Sequence, residues 1–272
     1  MLRSLFAGIS GLRVNQVMLD VTGNNIANAN TIGYKASTTV FQDTLSQMLT
    51  GASGAGNGRG GTNPIQVGLG VQVGATSTNF GQGSAQMTGR ATDLMIQGDG
   101  MFVVQDGSEK LYTRAGAFTF DETGTLVTPD GYRVQGYPPG VTPPAAPTDI
   151  KIDFSGLASY TIGADGMIRG IQANGTPVDL AQIAIADFDN PMGLEKAGDT
   201  CFRETANSGS AQLDVSGVGR RGSLMGGALE MSNVDLAAEF TNLILAQRGF
   251  QASSRVITTS DQVLEDLVNI KR

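Results

Sequence analysis

The sequence lacks several residue types on which common enzyme mechanisms depend. Its 272 residues include no histidine, no tryptophan and one cysteine, Cys201. Without histidine there is no serine–histidine triad, no imidazole acid or base and no histidine-bound zinc or iron. One cysteine cannot close an internal disulfide or build a thiolate metal site, and we expect Cys201 to be a small buried hydrophobe. The sequence therefore predicts no catalytic residues, no cofactor and no metal.

Charge and long apolar runs are also scarce. Charged residues make up 16% of the chain, below the ~25% of typical soluble proteins. Acidic residues number 25 and basic residues 18, and such a surface repels the phosphate backbone of nucleic acids. No segment approaches the ~20 apolar residues needed to cross a bilayer. We therefore expect neither a nucleic-acid partner nor a membrane span, and Arg13 and Asp20 interrupt the one stretch that resembles a signal peptide.

Glycine, in contrast, is abundant, with 38 residues. Two G-x-G-x-x-G matches, Gly56 to Gly61 and Gly217 to Gly222, lack the strand before and the helix after that a nucleotide-binding loop requires. The stretch from Gly51 to Thr62 is almost all small and polar, which is typical of a flexible or extended connection. The stretch from Pro138 to Pro147 is proline-rich and predicts a stiff extended connection.

Both ends of the chain carry apolar residues at intervals of seven, the pattern of helices that pack along a stripe. The N-terminal stripe consists of Leu5, Leu12, Leu19 and Ile26, with Ile9 on the adjoining row. The C-terminal stripe consists of Leu236, Leu243, Phe250, Ile257 and Leu264, with Phe240 and Val268 on the companion row. The spacing predicts one helix over Ser4 to Asn28. It predicts a second over Asn233 to Ile270, begun by a capping box from Ser232 to Asp235.

The middle of the chain has the pattern of antiparallel strands. Short β-branched or aromatic runs are separated by Asp-Gly or Asn-Gly pairs, which favour tight hairpin turns. These pairs begin at positions 99, 106, 130, 165 and 174. The predicted strands are Met101 to Gln105, Lys110 to Arg114, Ala117 to Asp121, Thr125 to Thr128, Tyr132 to Tyr137, Ser159 to Ile162, Met167 to Ile171 and Ile183 to Phe188. An all-β body is therefore expected between the helices.

The sequence thus predicts a mixed, mainly β fold, with an antiparallel β body in the middle of the chain and N- and C-terminal α-helices that pair in a coiled-coil-like manner. The expected boundaries are 1–35 for the N-terminal helix, 36–66 for an extended glycine-rich connecting segment, 67–226 for the β-rich domain and 227–272 for the C-terminal helix.

The stripes have two interpretations. The terminal helices could pair with each other and cap the β body as an ordinary core. Alternatively they contact other copies of the chain, because a single helix pair buries one side of each helix and residues such as Phe6, Leu245 and Val263 widen the apolar surface. We favour contacts between subunits. The predicted subunit-interface residues are Leu5, Ile9, Leu12, Leu19, Ile26, Leu236, Phe240, Leu243, Phe250, Ile257, Leu264 and Val268. Two other functions are alternatives to such a self-assembling subunit, namely a carbohydrate-acting enzyme and a monomeric adhesin-like binding module.

Three blocks of the sequence carry a resemblance to one family. They are Ser4 to Lys35, Thr88 to Phe118 and Gly227 to Asp261, which include the runs Gly23-Asn24-Asn25-Ile26-Ala27-Asn28, Tyr112-Thr113-Arg114-Ala115-Gly116 and Leu229-Glu230-Met231-Ser232-Asn233. These blocks resemble those of the bacterial flagellar rod and hook proteins, and the resemblance extends over essentially the whole chain.

The resemblance implies a subunit that polymerises with itself into a hollow helical tube, with the paired helices as the inner domain and the β body as the outer domain. It also implies export by the flagellar type III apparatus without signal cleavage, a place in the extracellular hook or basal body, and contacts with rod, hook-cap and hook–filament junction proteins. The tail from Val256 to Arg272 is more similar to hook proteins. The sequence therefore predicts a compact hook subunit that acts as a flexible joint, with a distal rod (drive-shaft) subunit as the alternative.

Overall fold

The computed structural model describes residues 2–54, 60–141 and 145–270. Strands account for 39% of the described residues and helices for 24%, so the mainly β fold with a helix at each end is confirmed. The chain divides by its internal contacts into two units. Unit 1 comprises Met1–Ala27, Ser37–Thr78 and Asp235–Arg272, and unit 2 comprises Asn28–Ala36 and Asn79–Val234.

Unit 1 contains long helices and a narrow β ribbon. The helices are α1 (Leu2–Ala27) and α2 (Leu236–Ile270). The strands are β1 (Ser37–Asp43), β2 (Ser46–Thr50), β3 (Ile65–Gly68) and β4 (Val71–Thr78). β1 pairs with β4 and β2 with β3, both antiparallel. Backbone bonds from Thr44 N–H to Gly70 O and from Leu69 N–H to Leu45 O join the two pairs, so residues 37–54 and 60–78 form one structure, hereafter the ribbon.

The helix α2 begins later than its sequence pattern suggests. The Asp235 carboxylate accepts hydrogen bonds from the N–H groups of Ala237 (2.9 Å) and Ala238 (3.3 Å), which is the contact of an N-terminal cap. The predicted start at Asn233 and the capping box beginning at Ser232 are therefore wrong, because Asp235 is itself the cap and the helix follows it.

Unit 2 is an antiparallel β body. Its strands are β5 (Ala85–Met87), β6 (Leu94–Gln97), β7 (Met101–Asp106), β8 (Glu109–Thr113), β9 (Thr119–Phe120), β10 (Leu126–Val127), β11 (Arg133–Tyr137), β12 (Thr148–Asp149), β13 (Leu157–Ile162), β14 (Met167–Gln172), β15 (Pro177–Asp187), β16 (Glu195–Gly198), β17 (Cys201–Arg203), β18 (Gln212–Val215), β19 (Ser223–Gly226) and β20 (Ala228–Glu230). A large sheet has the order β13-β14-β15-β11-β7-β8-β17-β16, with β9, β10, β12 and β18 paired to its members. Smaller pairs are formed by β6 with β19 and by β5 with β20.

Strand β7 lies at the centre of this body and is buried on both faces. Phe102 and Val104 belong to one hydrophobic cluster, whereas Met101 and Val103 belong to another, as the alternation of side chains along a strand requires. Phe102 meets Phe118 edge to face, with ring centroids 5.0 Å apart. Among the described residues, every member of both clusters lies in unit 2. The β body therefore has a core of its own.

Most of the predicted hairpin turns are confirmed. The pairs at 106, 130, 165 and 174 connect β7 to β8, β10 to β11, β13 to β14 and β14 to β15, which are hydrogen-bonded neighbours. The prediction at Asp99-Gly100 is wrong, because the pair joins β6 to β7 and β6 pairs with β19 instead. Gly100 has φ +121°, and a Cβ built there would lie 2.5 Å from Ile185 Cγ2. Glycine at this position permits close packing rather than a hairpin.

The connections differ in how far the structure describes them. The segment 36–66 contains β1, β2 and the start of β3, and its residues 55–59 lie outside the described residues. The proline-rich connection begins with a turn in which Val141 N–H bonds Pro138 O (3.1 Å), and its residues 142–144 also lie outside them. Gly217 and Gly222 lie in a loop that leads into strand β19, so this glycine motif is not followed by a helix.

Candidate assembly surface

Helices α1 and α2 pack against each other in opposite directions through small side chains. Ser4 Oγ lies 3.3 Å from Ser260 Oγ. Seven residues further along α1, a Cβ built at Gly11 would lie 2.8 Å from Ser253 Oγ. As the α1 number rises the α2 number falls, so the pair is antiparallel. We call this contact the seam.

Glycine and asparagine continue the seam. Asn15 Nδ2 donates to Gly11 O (2.7 Å), and a Cβ built at Gly249 would lie 2.9 Å from Asn15 Cγ. A Cβ built at Gly8 would lie 3.1 Å from Ile257 Cγ1. Small residues therefore bring the two backbones close together, and large apolar side chains are left toward the flanks of the seam.

The predicted interface residues divide into two groups by burial. Those half-buried are Leu5, Ile9, Leu12, Leu19, Ile26, Leu243, Ile257 and Leu264. Those exposed are Leu236, Phe240, Phe250 and Val268. Half of the Phe240 side chain and 70% of that of Val268 face solvent. Their contact with other subunits stays a prediction.

Further apolar side chains of the helices are also exposed. They are Phe6, Ile244, Leu245, Val256, Val263, Leu267 and Ile270. Within the described part of unit 1, the buried hydrophobic residues are Val14 and Ala246. Helices gain most of their stability by burying an apolar face, and exposed apolar patches mark interaction surfaces. Unit 1 therefore presents apolar surface that its own chain leaves uncovered.

The ribbon adds exposed apolar residues that were not predicted from the sequence. They are Val40, Phe41, Leu45, Met48, Leu49, Ile65, Val67 and Leu69. The available signal was the pair of apolar runs on either side of the glycine-rich stretch, which matches a long hairpin. An open groove of about 510 Å³ lies between α1 and β4, lined by residues that include Ile9, Val17 and Val71. Helices and ribbon together thus form the candidate assembly surface.

A buried cluster of charges lies in unit 2. Lys35 Nζ donates to Glu230 Oε1 at 2.6 Å, and Arg114 Nη1 lies 3.4 Å from Glu230 Oε2. The side chains of Lys35 and Glu230 are fully buried, and that of Arg114 is 4% exposed. Burial lowers the pKa of Lys35, and the Glu230 carboxylate opposes this shift. Each residue comes from a different one of the three sequence blocks, and no sequence pattern predicted a role for any of them.

The single cysteine and the acidic side chains are the remaining groups from which a reactive or metal-binding site could be built. Cys201 is buried, as predicted, and burial raises its thiol pKa to about 11. Across residues 2–54, 60–141 and 145–270, no cluster of acidic and cysteine side chains is arranged to hold a metal ion. Neither helix, over its described length, is apolar enough to cross a membrane.

Family models match three parts of the chain. Residues 5–35 match "Flagella basal body rod protein", residues 95–170 match "Flagellar hook protein FlgE/F/G D1 domain" and residues 225–270 match "Flagellar basal body rod FlgEFG protein C-terminal". The matches cover α1, the centre of the β body and α2.

Whole-length relatives agree with these matches. The chain is 49% identical to the flagellar basal-body rod protein FlgG of Bacillus subtilis, over 100% of both chains. It is 40% identical to FlgG of Caulobacter vibrioides over 97% of both, and 31% identical to the flagellar hook protein FlgE of Borreliella burgdorferi over 100% of both. These relatives are structural proteins rather than enzymes. The chain therefore belongs to the flagellar rod and hook protein family.

Proposed function

We propose that the chain is a subunit of the distal rod of the bacterial flagellum, and that its copies assemble helically into a hollow tube that serves as a rigid drive shaft. The rod relative from Bacillus subtilis aligns over 273 residues, close to the 272 of this chain. The alignments with hook proteins extend over 441 and 463 residues and so open long gaps in this chain. The hook interpretation expected from the sequence is therefore less supported than the distal-rod alternative.

One observation carries the proposal of self-assembly. Unit 1 leaves apolar side chains of α1, α2 and the ribbon exposed, while the core clusters lie in unit 2. Each such side chain contributes about 1.5–3 kcal/mol when fully buried. Helix faces and ribbon differ in shape, so the surface favours a heterologous contact between unlike faces, which grows into a helical polymer when it does not close.

The proposal extends to the site of action. As a distal rod subunit, the chain would be exported without signal cleavage and would contact further copies of itself, other rod proteins and the hook. The hook cap and the hook–filament junction proteins, expected from the sequence as partners, belong to the hook interpretation.

Val263 and Val218 provide a matched test of the assembly surface. Val263 on α2 is 46% exposed and Val218 in unit 2 is 45% exposed. Val263→Asp should prevent tube formation, because it places a charge on a surface that assembly buries. Val218→Asp is the control, and it should yield more tubes than Val263→Asp because Val218 lies outside the candidate assembly surface. Electron microscopy of purified full-length protein under assembly conditions measures this, and normal tubes from Val263→Asp would contradict the proposal.

The position of the protein in the flagellum distinguishes a rod subunit from a hook subunit. Antibody labelling of isolated basal bodies should place the chain between the membrane-embedded base and the hook, in a straight segment. Labelling along the curved hook would instead restore the hook interpretation and contradict the distal-rod proposal.

A further inference from the structure

The segments of unit 2 from which the chain passes to unit 1 are joined to one another by hydrogen bonds. The chain passes from one unit to the other after Ala27, Ala36, Thr78 and Val234. The segments of unit 2 next to these crossings are residues 28–36, 79–83 and 230–234. Any force that the chain itself carries from one unit to the other must pass through these segments.

Asn233 ties two of the crossings together. Its Oδ1 accepts the N–H of Ala36 at 2.8 Å. Its Nδ2 donates to Asn79 O at 2.8 Å and to Gly81 O at 3.0 Å. Asn79 N–H in turn donates to Ala36 O at 2.8 Å. The side-chain amide therefore uses both of its donor hydrogens and its acceptor on backbone groups close to the points where the chain leaves unit 2 at Ala36 and re-enters it at Asn79.

The buried charges tie the same segments a second time. Lys35 Nζ donates to Gly81 O (2.9 Å) as well as to the Glu230 carboxylate. Glu230 Oε1 also accepts Gly83 N–H (2.9 Å), and the Glu230 backbone carbonyl accepts Gly33 N–H (2.8 Å). Hydrogen bonds to charged groups in a buried site are stronger than those between neutral groups. The segments 28–36, 79–83 and 230–234 are thus joined by several bonds side by side.

We infer that Asn233, Lys35 and Glu230 form an exit clamp, which holds the crossings of unit 2 at fixed separations when the protein carries mechanical load. Bonds arranged side by side share an applied force, so none must bear it alone. Asn233 is a positioning residue in this device, since it acts on the backbone of Ala36 and Asn79. The inference rests on the proposed function, because a drive shaft must carry torque through each subunit.

Asn233→Ala tests the clamp, with Asn174→Ala as its control. Asn174 also accepts a backbone hydrogen bond, from Thr176 N–H at 3.1 Å, but it does so within the β14–β15 hairpin. In purified full-length protein, Asn233→Ala should raise the amide exchange rate of Ala36 by about two- to tenfold, because the Ala36 N–H loses its acceptor. The exchange rate of Asn79 should rise as well, because its N–H bonds to Ala36 O in the same pair of segments. Asn174→Ala should leave both rates unchanged.

The decisive readout depends on load. In cells whose motors rotate, Asn233→Ala should cause several-fold more loss of flagella by breakage at the rod than Asn174→Ala. In cells whose motors are assembled but paralysed, the two variants should retain flagella equally. A residue that only supports folding would lower retention in both backgrounds, and that result or equal retention under rotation would overturn the clamp.

A conservative variant covers the case in which Asn233→Ala does not fold. Asn233→Asp keeps the acceptor for Ala36 N–H and replaces the donor to Asn79 and Gly81 with an oxygen that repels their carbonyl oxygens. It should therefore show the same dependence on rotation. Absence of the wild-type chain from the rod would contradict the proposed function instead. The exchange rates of Ala36 and Asn79 would then still decide whether Asn233 ties the crossings.

Discussion

At the scale of single residues, the buried cluster of Lys35, Arg114 and Glu230 contains two cations and one anion. Lys35 and Arg114 are both cations, and Glu230 contacts each of them. Taking charges out of water is costly, and the cost is offset only when each charge keeps a partner of opposite sign. Glu230 is therefore the residue on which the cluster depends.

Substitutions in this cluster should follow a definite order. Glu230→Gln removes the carboxylate that contacts both cations, and Asp99 still acts on Arg114 but not on Lys35. This substitution should lower the free energy of unfolding by about 3–5 kcal/mol. Lys35→Met leaves the Glu230–Arg114 pair in place and should cost less, about 1–3 kcal/mol. Urea denaturation of the full-length monomer measures both values. Equal costs, or a larger cost for Lys35→Met, would show that Glu230 is not the centre of the cluster.

At the scale of elements, the seam explains how two helices with apolar stripes leave so much apolar surface exposed. Gly8, Gly11 and Gly249 bring the backbones together where a larger side chain would not fit. Such close approach uses the small residues for the contact within the chain. The large apolar side chains then remain available to other molecules.

Two glycines separate this packing effect from helix propensity. A Cβ at Gly23 of α1 meets nothing within 4 Å, whereas one at Gly249 of α2 meets the Asn15 amide. Gly23→Ala should therefore stabilise the helices by about 0.5–1 kcal/mol. Gly249→Ala must displace Asn15 and break its bond to Gly11 O, so we expect no gain or a net loss. Thermal melts followed by circular dichroism report both, and equal stabilisation would argue against a tight seam.

Local patterns predicted the elements well and their long-range partners poorly. The seven-residue spacing of Leu236 to Leu264 predicted α2, and the Asp-Gly and Asn-Gly pairs predicted most hairpins, because both signals act within a few residues. The Lys35–Glu230 pair joins positions 195 residues apart, and no local pattern reports such a contact. The seam was predicted only in part for a related reason. Heptad spacing marks large apolar residues such as Ile257, whereas most of the close contacts are made by glycine, serine and asparagine.

At the scale of the whole molecule, the units have different sources of stability. The described core clusters belong to unit 2, and unit 1 buries few hydrophobic residues of its own. In such a molecule, the β body can stay folded before the helices and the ribbon contact other subunits. This division supports the proposal that unit 2 folds on its own core and that unit 1 makes the contacts between subunits.

Removal of residues 236–270 tests this division. The melting temperature of the β body should change by less than about 2 °C, because its described core clusters contain no residue of α2 and a loss of about 1 kcal/mol would shift it by about 2–4 °C. Tube formation should be lost entirely. Near-ultraviolet circular dichroism and electron microscopy measure the two effects. Tubes of normal shape from the shortened chain would contradict the role assigned to the helices.

The offset between the helices has one more consequence. Beyond the Ser4–Ser260 contact, α2 runs on to Ile270, a length of about 15 Å at 1.5 Å per residue. Val263, Leu267 and Ile270 on this overhang are exposed. One end of the helix pair thus carries an extension with exposed apolar side chains, and the other end has no such extension. In the proposed polymer, subunits of this kind would all join in the same orientation, so the filament would be polar and its two ends would differ.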